Sequence, residues 1–293
     1  MRAFEYRKID AFTSGNSLGN PAACLYLTGE QSLTETEMLS IAQQHKGFVS
    51  EIVYCFCKST SVFNLIYYSS EGEVDFCGHG TIACMYNLIK ETPDLLRLKE
   101  IAINTNKKGK LTIFNEIETQ DAVYITAPCP EYFGSDLDVN EIAENMSLSM
   151  NQISDSYPID IINAGLKTLI IPLENLKDEI NVFPNEQKLK SFCLSKKIDI
   201  ILIYTLKTDN SQNMAHTRVF APKFGYLEDP ATGSGNSAFG YYMLKNNIWN
   251  GQPISIEQGG IDRVLNIINL AYRDNKVLFG GKATTRIKGI YYL

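Results

Sequence analysis

The feature that most constrains this chain is a pattern that occurs twice. Cys77-Gly78-His79-Gly80-Thr81-Ile82-Ala83 and Thr232-Gly233-Ser234-Gly235-Asn236-Ser237-Ala238 both read x-Gly-x-Gly-x-x-Ala, and they start 155 positions apart in 293 residues. Each follows a polar approach, Ser70–Phe76 in one case and Lys223–Pro230 in the other, and each opens a run that reads as helix. Glycine is expected here to supply the positive φ angles of a tight turn. The first N–H groups of a helix have no internal partners, and the helix dipole adds about half a positive charge beside them. Such a turn suits a carboxylate or phosphate. His79 and Ser234 hold the same place in the two copies, so both can bond one ligand if the copies face each other.

Two other readings of the turns stay open at this point. Gly-x-Gly can simply let a strand pass tightly into a helix. The pattern also fits the dinucleotide fingerprint, with Glu257 roughly 20 residues after the second turn as the acidic partner. That fingerprint needs a parallel βαβ unit around it, whereas this chain opens on successive short strands, and no G-x-x-x-x-G-K-[ST] loop occurs.

Around the turns, the apolar runs Phe4–Ile9, Ala22–Tyr26, Glu51–Cys57 and Val62–Tyr68 predict strands. Thr34-x-x-Glu37 is a capping-box pattern opening a helix over about 35–45. A second helix is expected through Thr81–Lys90, then a hairpin from Ile101–Asn104 and Lys110–Phe114. The polar stretch Glu116–Asp121 reads as a linker. The second half predicts strands at Val123–Ala127, Ile159–Asn163, Thr168–Pro172 and Ile198–Thr205, with Val219–Ala221 leading into the second turn. Helices are expected at Asn140–Asn145, Glu186–Leu194 and Asn236–Asn247, and late strands at Ile254–Glu257, Val264–Asn269 and Lys276–Phe279. A sheet followed by one central helix, twice over, points to an α+β protein built by duplication.

Composition narrows the function. The net charge of −6 disfavours a nucleic-acid or anionic-membrane binder. No apolar stretch reaches 18 residues, and the charged start Met1–Arg7 lacks a signal peptide's apolar run, so a cytoplasmic location is expected. The seven cysteines are an odd, scattered set and a poor disulfide framework. Cys55-x-Cys57 has no second pair at zinc spacing, and three histidines do not suggest a metal centre. No metal site is expected.

Glu51 follows the polar stretch Gln43–Gly47 and begins an apolar strand. A carboxylate at a strand mouth, flanked by Phe48 and Val49, can be desolvated and its pKa raised toward neutrality, as a general acid or base requires. A solvated strand-end glutamate is the plainer reading. Asp229, just before Pro230 and the second turn, can cap that turn or orient a substrate amine or a histidine. Cys77, at a helix start, can be a low-pKa thiol or a buried inert one.

Asp10-Ala11-Phe12 with Gly19-Asn20-Pro21-Ala22, Ser50-Glu51, Val74-Asp75-Phe76-Cys77-Gly78-His79-Gly80-Thr81, Phe220-Ala221-Pro222, Glu228-Asp229-Pro230-Ala231-Thr232-Gly233-Ser234, and Gln258-Gly259 with Arg263 resemble, in this order and spacing, the phenazine-biosynthesis PhzF-like family of the diaminopimelate epimerase-like fold. The resemblance implies two similar domains related by a pseudo-two-fold axis, each a curled sheet or barrel around one helix. Residues 1–118 with the C-terminal strand 282–293 would form one domain and residues 119–281 the other, with the site between them. It implies a cofactor-free isomerase, usually a homodimer, acting on a small carboxylic acid. Glu51 matches the family's acid–base glutamate, while His79, Asp229 and Ser234 match residues that hold and polarise the substrate. Gly78 and Gly233 would give backbone donors to its carboxylate; Asn20, Cys77, Gly80 and Gly235 complete the substrate-binding set.

One departure bears on mechanism. Amino-acid epimerases of this fold use a cysteine at each turn, but Thr232 fills the second position here, and its hydroxyl is a far weaker acid than a thiol of pKa about 8.5. The residues therefore point to an isomerase that shifts a proton with Glu51. A Glu51/Cys77 epimerase or racemase and a non-catalytic acid-binding protein are the alternatives.

Overall fold

The computed structural model describes residues 1–59, 62–260 and 264–293. Arg263 lies outside them. The chain forms two compact units, Met1–Thr126 with Gly280–Leu293, and Ala127–Phe279.

In the first unit the strands are β1 (Ala3–Ala11), β2 (Asn20–Thr28), β3 (Glu51–Ser59), β4 (Val62–Ser69), β5 (Gly72–Val74), β6 (Glu100–Thr105), β7 (Gly109–Glu116) and β8 (Ala122–Thr126), with helices α1 (Glu35–Gln44) and α2 (Gly78–Glu91). The C-terminal strand Ala283–Tyr292 pairs antiparallel with β1. From β1 onward the ladder alternates. β1 and β2 are antiparallel, β2 and β3 parallel across α1, β3 and β4 antiparallel, β4 and β6 parallel across α2, and β6 and β7 antiparallel.

The second unit contains β9 (Glu131–Tyr132), β10 (Asp160–Asn163), β11 (Lys167–Pro172), β12 (Ile200–Thr205), β13 (Ala215–Phe220), β14 (Glu228–Asp229), β15 (Ile254–Gln258) and β16 (Asn266–Arg273), with helices α3 (Val139–Met146), α4 (Glu186–Lys196) and α5 (Gly233–Lys245). It repeats the ladder step for step. β10 and β11 are antiparallel, β11 and β12 parallel across α4, β12 and β13 antiparallel, β13 and β15 parallel across α5, and β15 and β16 antiparallel. Five matching pairings in one order establish the repeat that the two glycine turns suggested.

The curl of each sheet follows from its helix. Of α2, residues Gly80–Asn87 and Ile89 are buried, and of α5, Gly233 and Gly235–Met243. A helix buried on every side must be enclosed rather than laid on a surface, so each sheet wraps its own helix. The outer faces are covered by the other helices. Met38, Ile41 and Ala42 of α1 pack with Leu25, Ile52 and Tyr54, and Leu189, Phe192 and Cys193 of α4 pack with Leu169, Ile201 and Ile203. Strands β2 and β12 are thus buried on both faces and read as continuous apolar runs.

The capping box at α1 forms as predicted. The Glu37 N–H donates to the Thr34 hydroxyl at 3.2 Å, and the Thr34 N–H to the Glu37 carboxylate at 2.8 Å. Glu116–Asp121 is not a linker: Ile117–Gln120 makes a helical turn that Asp121 ends at φ 50°. An Asp in this left-handed region is a local stop that polarity alone does not distinguish from a loop.

Close strand approach makes one glycine indispensable. A Cβ on Gly280 would lie 2.0 Å from the Val123 carbonyl oxygen and 2.8 Å from Tyr124 Cα, both backbone atoms that cannot swing aside. Gly280→Ala is expected to destabilise the protein by about 3 kcal/mol, seen as a lowered thermal midpoint. An unchanged midpoint would show that the strands yield.

Candidate active site

Glu51 is the first residue of β3, and its parallel partner on β2 is Ala22, two residues beyond Asn20 at the same strand mouth. Asn20 is buried there. After the β4–β5 ribbon, the chain enters α2 through Cys77, which sits in extended backbone at φ −127° and ψ 106°. The Cys77 sulfur accepts the Gly80 N–H at 3.3 Å, and the Thr81 hydroxyl donates to the Cys77 carbonyl at 2.8 Å. His79, one residue into the helix, lies with Nδ1 3.5 Å from Cys77 Sγ and with Nε2 3.3 Å from Glu51 Oε2. The first unit thus gathers Glu51, Cys77 and His79 into one cluster, with one donor atom from each inside 4.8 Å of the others.

Burial drives the electrostatics of that cluster. It pushes the Glu51 carboxyl up to about 7, partly offset by a hydrogen bond from Ser50. Oε2 is enclosed, with His79 beside it but no hydrogen-bond partner among the described residues. The expected desolvation is present, although its cause differs from the one anticipated. Val49 is buried, whereas Phe48 is 49% exposed and covers little.

In the second unit Thr232 holds the place of Cys77, with nearly the same backbone, φ −118° and ψ 106°. Its side chain does different work. The hydroxyl donates to Asp229 Oδ2 at 2.6 Å and makes no bond to the helix's leading amides. Gln258 ties the turn together. Its Oε1 accepts the Thr232 N–H at 3.0 Å and the Asn236 amide at 2.7 Å, while its Nε2 donates to the Asp229 carbonyl at 2.8 Å. Asp229 therefore grips the residue that starts the helix. Ser234, half-buried, stands on the first turn of α5 between Gly233 and Gly235.

The glycines of the turns are required for a reason other than the one predicted. Gly78, Gly80, Gly233 and Gly235 are not in the positive-φ region. Both helices begin at the first glycine, three residues earlier than expected, so the glycines form the first helical turn. Space is what demands Gly80 and Gly233. A Cβ on Gly233 would meet the Phe279 ring at 2.3 Å, and one on Gly80 would meet Val53 Cγ2 at 2.8 Å and Cys77 Sγ at 2.9 Å.

The case against a nucleotide loop also changes its footing. Parallel strands do flank both helices, contrary to expectation. What departs from the fingerprint is the short ribbon, β5 or β14, between each strand and its turn. Glu257 is fully buried and accepts the N–H groups of Asp209 and Asn210 and the Asn213 amide, so it pins a loop.

Sequence reasoning singled out Asp229 as a cap of this turn but did not single out Asn236. Gln258 appeared only as part of a matched pair, and its role depends on a contact 26 residues away in sequence. A groove of about 670 Å³ in the second unit, lined by Leu137, Met150 and Tyr157 among others, includes none of the predicted site residues.

The family model described as phenazine biosynthesis-like protein matches residues 9–289. Among curated relatives, the uncharacterized isomerase YfhB of Bacillus subtilis is 28% identical over 88% of this chain and 87% of its own length. An uncharacterized isomerase of Clostridium acetobutylicum is 26% identical over 85% of this chain and 82% of its own. A crystal structure of a Bacillus anthracis phenazine biosynthesis protein of the PhzF family superposes with a TM-score of 0.85 at 24% identity, covering 100% of both chains. No helix among the described residues is long and apolar enough to cross a membrane.

Proposed function

Since the chain belongs to the phenazine biosynthesis-like PhzC-PhzF family of isomerases, we propose that it shifts a proton between carbons of a small carboxylic acid, with Glu51 as the proton carrier. The observation that carries this reading is the Glu51 carboxyl, enclosed at a strand mouth and raised by burial to about 7. A group that titrates near neutrality can both take a proton and return it.

The ionised carboxylate removes a proton from a carbon made acidic by an adjacent carboxyl or imine. The C–H electron pair spreads into that conjugated group, and the proton returns to another carbon of the same molecule. No redox change is needed. His79, 3.3 Å from the carboxylate, positions it and faces the charge that develops. In the second unit Asp229, Gly233, Ser234 and Gly235 are assigned to holding the substrate. Supporting this, the leading amides of α5 receive no side-chain cap. In the first unit Asn20, Cys77, Gly78 and Gly80 are assigned the same task.

Heavy water supplies the test. The Glu51 side chain is 23% exposed, so the proton it has taken from the substrate can exchange with solvent before it is returned. A panel of small unsaturated and amino carboxylic acids, incubated in heavy water, is expected to yield an isomerised acid labelled at one carbon. A Glu51→Gln variant that isomerises the acid as fast as the wild type would refute the Glu51 step.

A second reading, epimerisation by Glu51 and Cys77, is favoured by the thiol's place within 4.8 Å of that carboxylate. It requires loss of optical rotation and inactivation by thiol alkylation, and undiminished activity in Cys77→Ala would remove it.

A further inference from the structure

We propose that the Glu51–Cys77–His79 cluster is also a zinc site, and that Zn²⁺ bound there switches the enzyme off by occupying the carboxylate that moves the proton. The argument starts from the donor set. A thiol, an imidazole and a carboxylate are a ligand combination suited to Zn²⁺ and poorly suited to Mg²⁺ or Ca²⁺, which take oxygen donors.

The spacing brings the three donors within reach of one ion. With Zn–N and Zn–O near 2.0 Å and Zn–S near 2.3 Å, the edges of the tetrahedron are about 3.3 Å for N···O and about 3.5 Å for S···N. In the protein His79 Nε2 lies 3.3 Å from Glu51 Oε2, while Cys77 Sγ lies 3.5 Å from Nδ1 and 3.8 Å from Nε2, so the sulfur rests against the ring and ligation turns the imidazole to aim Nε2 at the ion. All three donors fall within 4.8 Å of one another.

Two independent features favour a bound cation. Glu51 Oε2 is enclosed and lacks a hydrogen-bond partner among the described residues, and an ion would satisfy it. The Gly80 N–H already points at Cys77 Sγ at 3.3 Å, and the sulfur caps a 14-residue helix, so the ligand atom is held in place from behind. Three protein ligands leave a fourth position for water or for a substrate carboxylate.

Metal binding does not depend on the proton-shift reading, but the inhibition does. Cobalt(II) separates the two, because a tetrahedral thiolate site gives an intense visible spectrum and a sulfur-to-metal band without any turnover. Wild-type protein titrated with Co²⁺ is expected to develop both bands at one ion per chain, and Zn²⁺ to bleach them. Cys77→Ser and, separately, His79→Gln are expected to weaken binding at least tenfold, since even indirect supports of a metal site cost about 10–100-fold. Thermal midpoints with and without Zn²⁺ accompany each variant. A rise in wild type and none in variants that still unfold cooperatively separates lost ligation from lost fold.

Absence of the bands in wild type, or their survival in both variants, would overturn the metal site. Zn²⁺ is further expected to stop solvent-deuterium uptake into the acid, with recovery on chelation. Bands with undiminished uptake would leave the metal site standing and overturn the inhibition. Metal-free isomerisation that survives Glu51→Gln counts against the proton-shift reading alone.

Discussion

Glu51→Gln is expected to cut turnover by about 10²–10⁴-fold while making the protein more stable above pH 7. Both effects follow from the burial of one carboxyl. Burial raises its pKa from the 4.5 of an ordinary glutamate to about 7. The sign follows from which state holds its proton more tightly. The folded state does, so stability is greatest below pH 4.5, falls as pH rises from 4.5 to 7, and is flat above. A shift of about 2.5 units corresponds to at most about 3 kcal/mol at 1.36 kcal/mol per unit. Glutamine keeps the size and hydrogen-bonding shape without the charge, so the variant lacks this slope and gains up to that amount at pH 8. In the wild type kcat/KM is expected to rise about tenfold per pH unit up to about pH 7 and then level, as a base that must be ionised requires. Thermal melts at pH 5 and pH 8, paired with rates, read both arms. A variant that keeps its turnover, or one less stable at pH 8 than the wild type, would contradict the account.

The largest expected loss of stability lies away from the reacting groups, at Arg218. Its guanidinium is completely buried on β13. Nη1 donates to the carbonyls of Glu179, Ile180 and Val182 at 2.9, 3.0 and 2.7 Å, ending the short helix Leu176–Ile180, and Nε and Nη2 fork onto Glu228 at 2.9 and 2.7 Å. Arg218→Met fills much of the volume but leaves three carbonyls and a carboxylate without their donor. Breaking a buried pair in this way costs about 3–5 kcal/mol. Burial already pushes neighbouring Glu179 up to about 7, its carboxylate 3.1 Å from His216 Nδ1, so little solvent is at hand to relieve the orphaned groups. Chemical denaturation of Arg218→Met, alone and with Glu228→Leu, checks the explanation. The second change removes the stranded carboxylate and is expected to recover part of the loss, whereas purely additive losses would point to packing instead.

Much of this was readable from the sequence because the signals were local. Thr34 and Glu37 sit at the spacing that closes a capping box. The apolar run after Glu51 marks a strand, and two glycine turns half a chain apart announce a repeat. Where the physics depends on space, the sequence is silent or misleading. Gly233 looks like a residue chosen for its backbone angle, but what excludes a side chain is the Phe279 ring at 2.3 Å. Phe48 looks like the wall that dries Glu51, but it faces solvent. The bonds of Gln258 to Asp229, Thr232 and Asn236, and that of Arg218 to Glu179, join residues whose separation in the chain carries no period. Only the pairing of distant strands brings them together.

The matched ladders make each half of the molecule a control experiment on the other. Counting along the pairings, Val53 opposes Tyr67 and Tyr67 opposes Val74, just as Leu202 opposes Val219 and Val219 opposes Asp229. The rung that carries Glu51 in one half therefore carries Ile200 in the other, and the rung that carries Asp229 carries Val74. What both halves retain, the paired glycines and the swallowed helix, is the standing cost of the architecture. What only one half has is its trade. The repeat leaves equivalent rungs in the two halves, and the two halves use them differently.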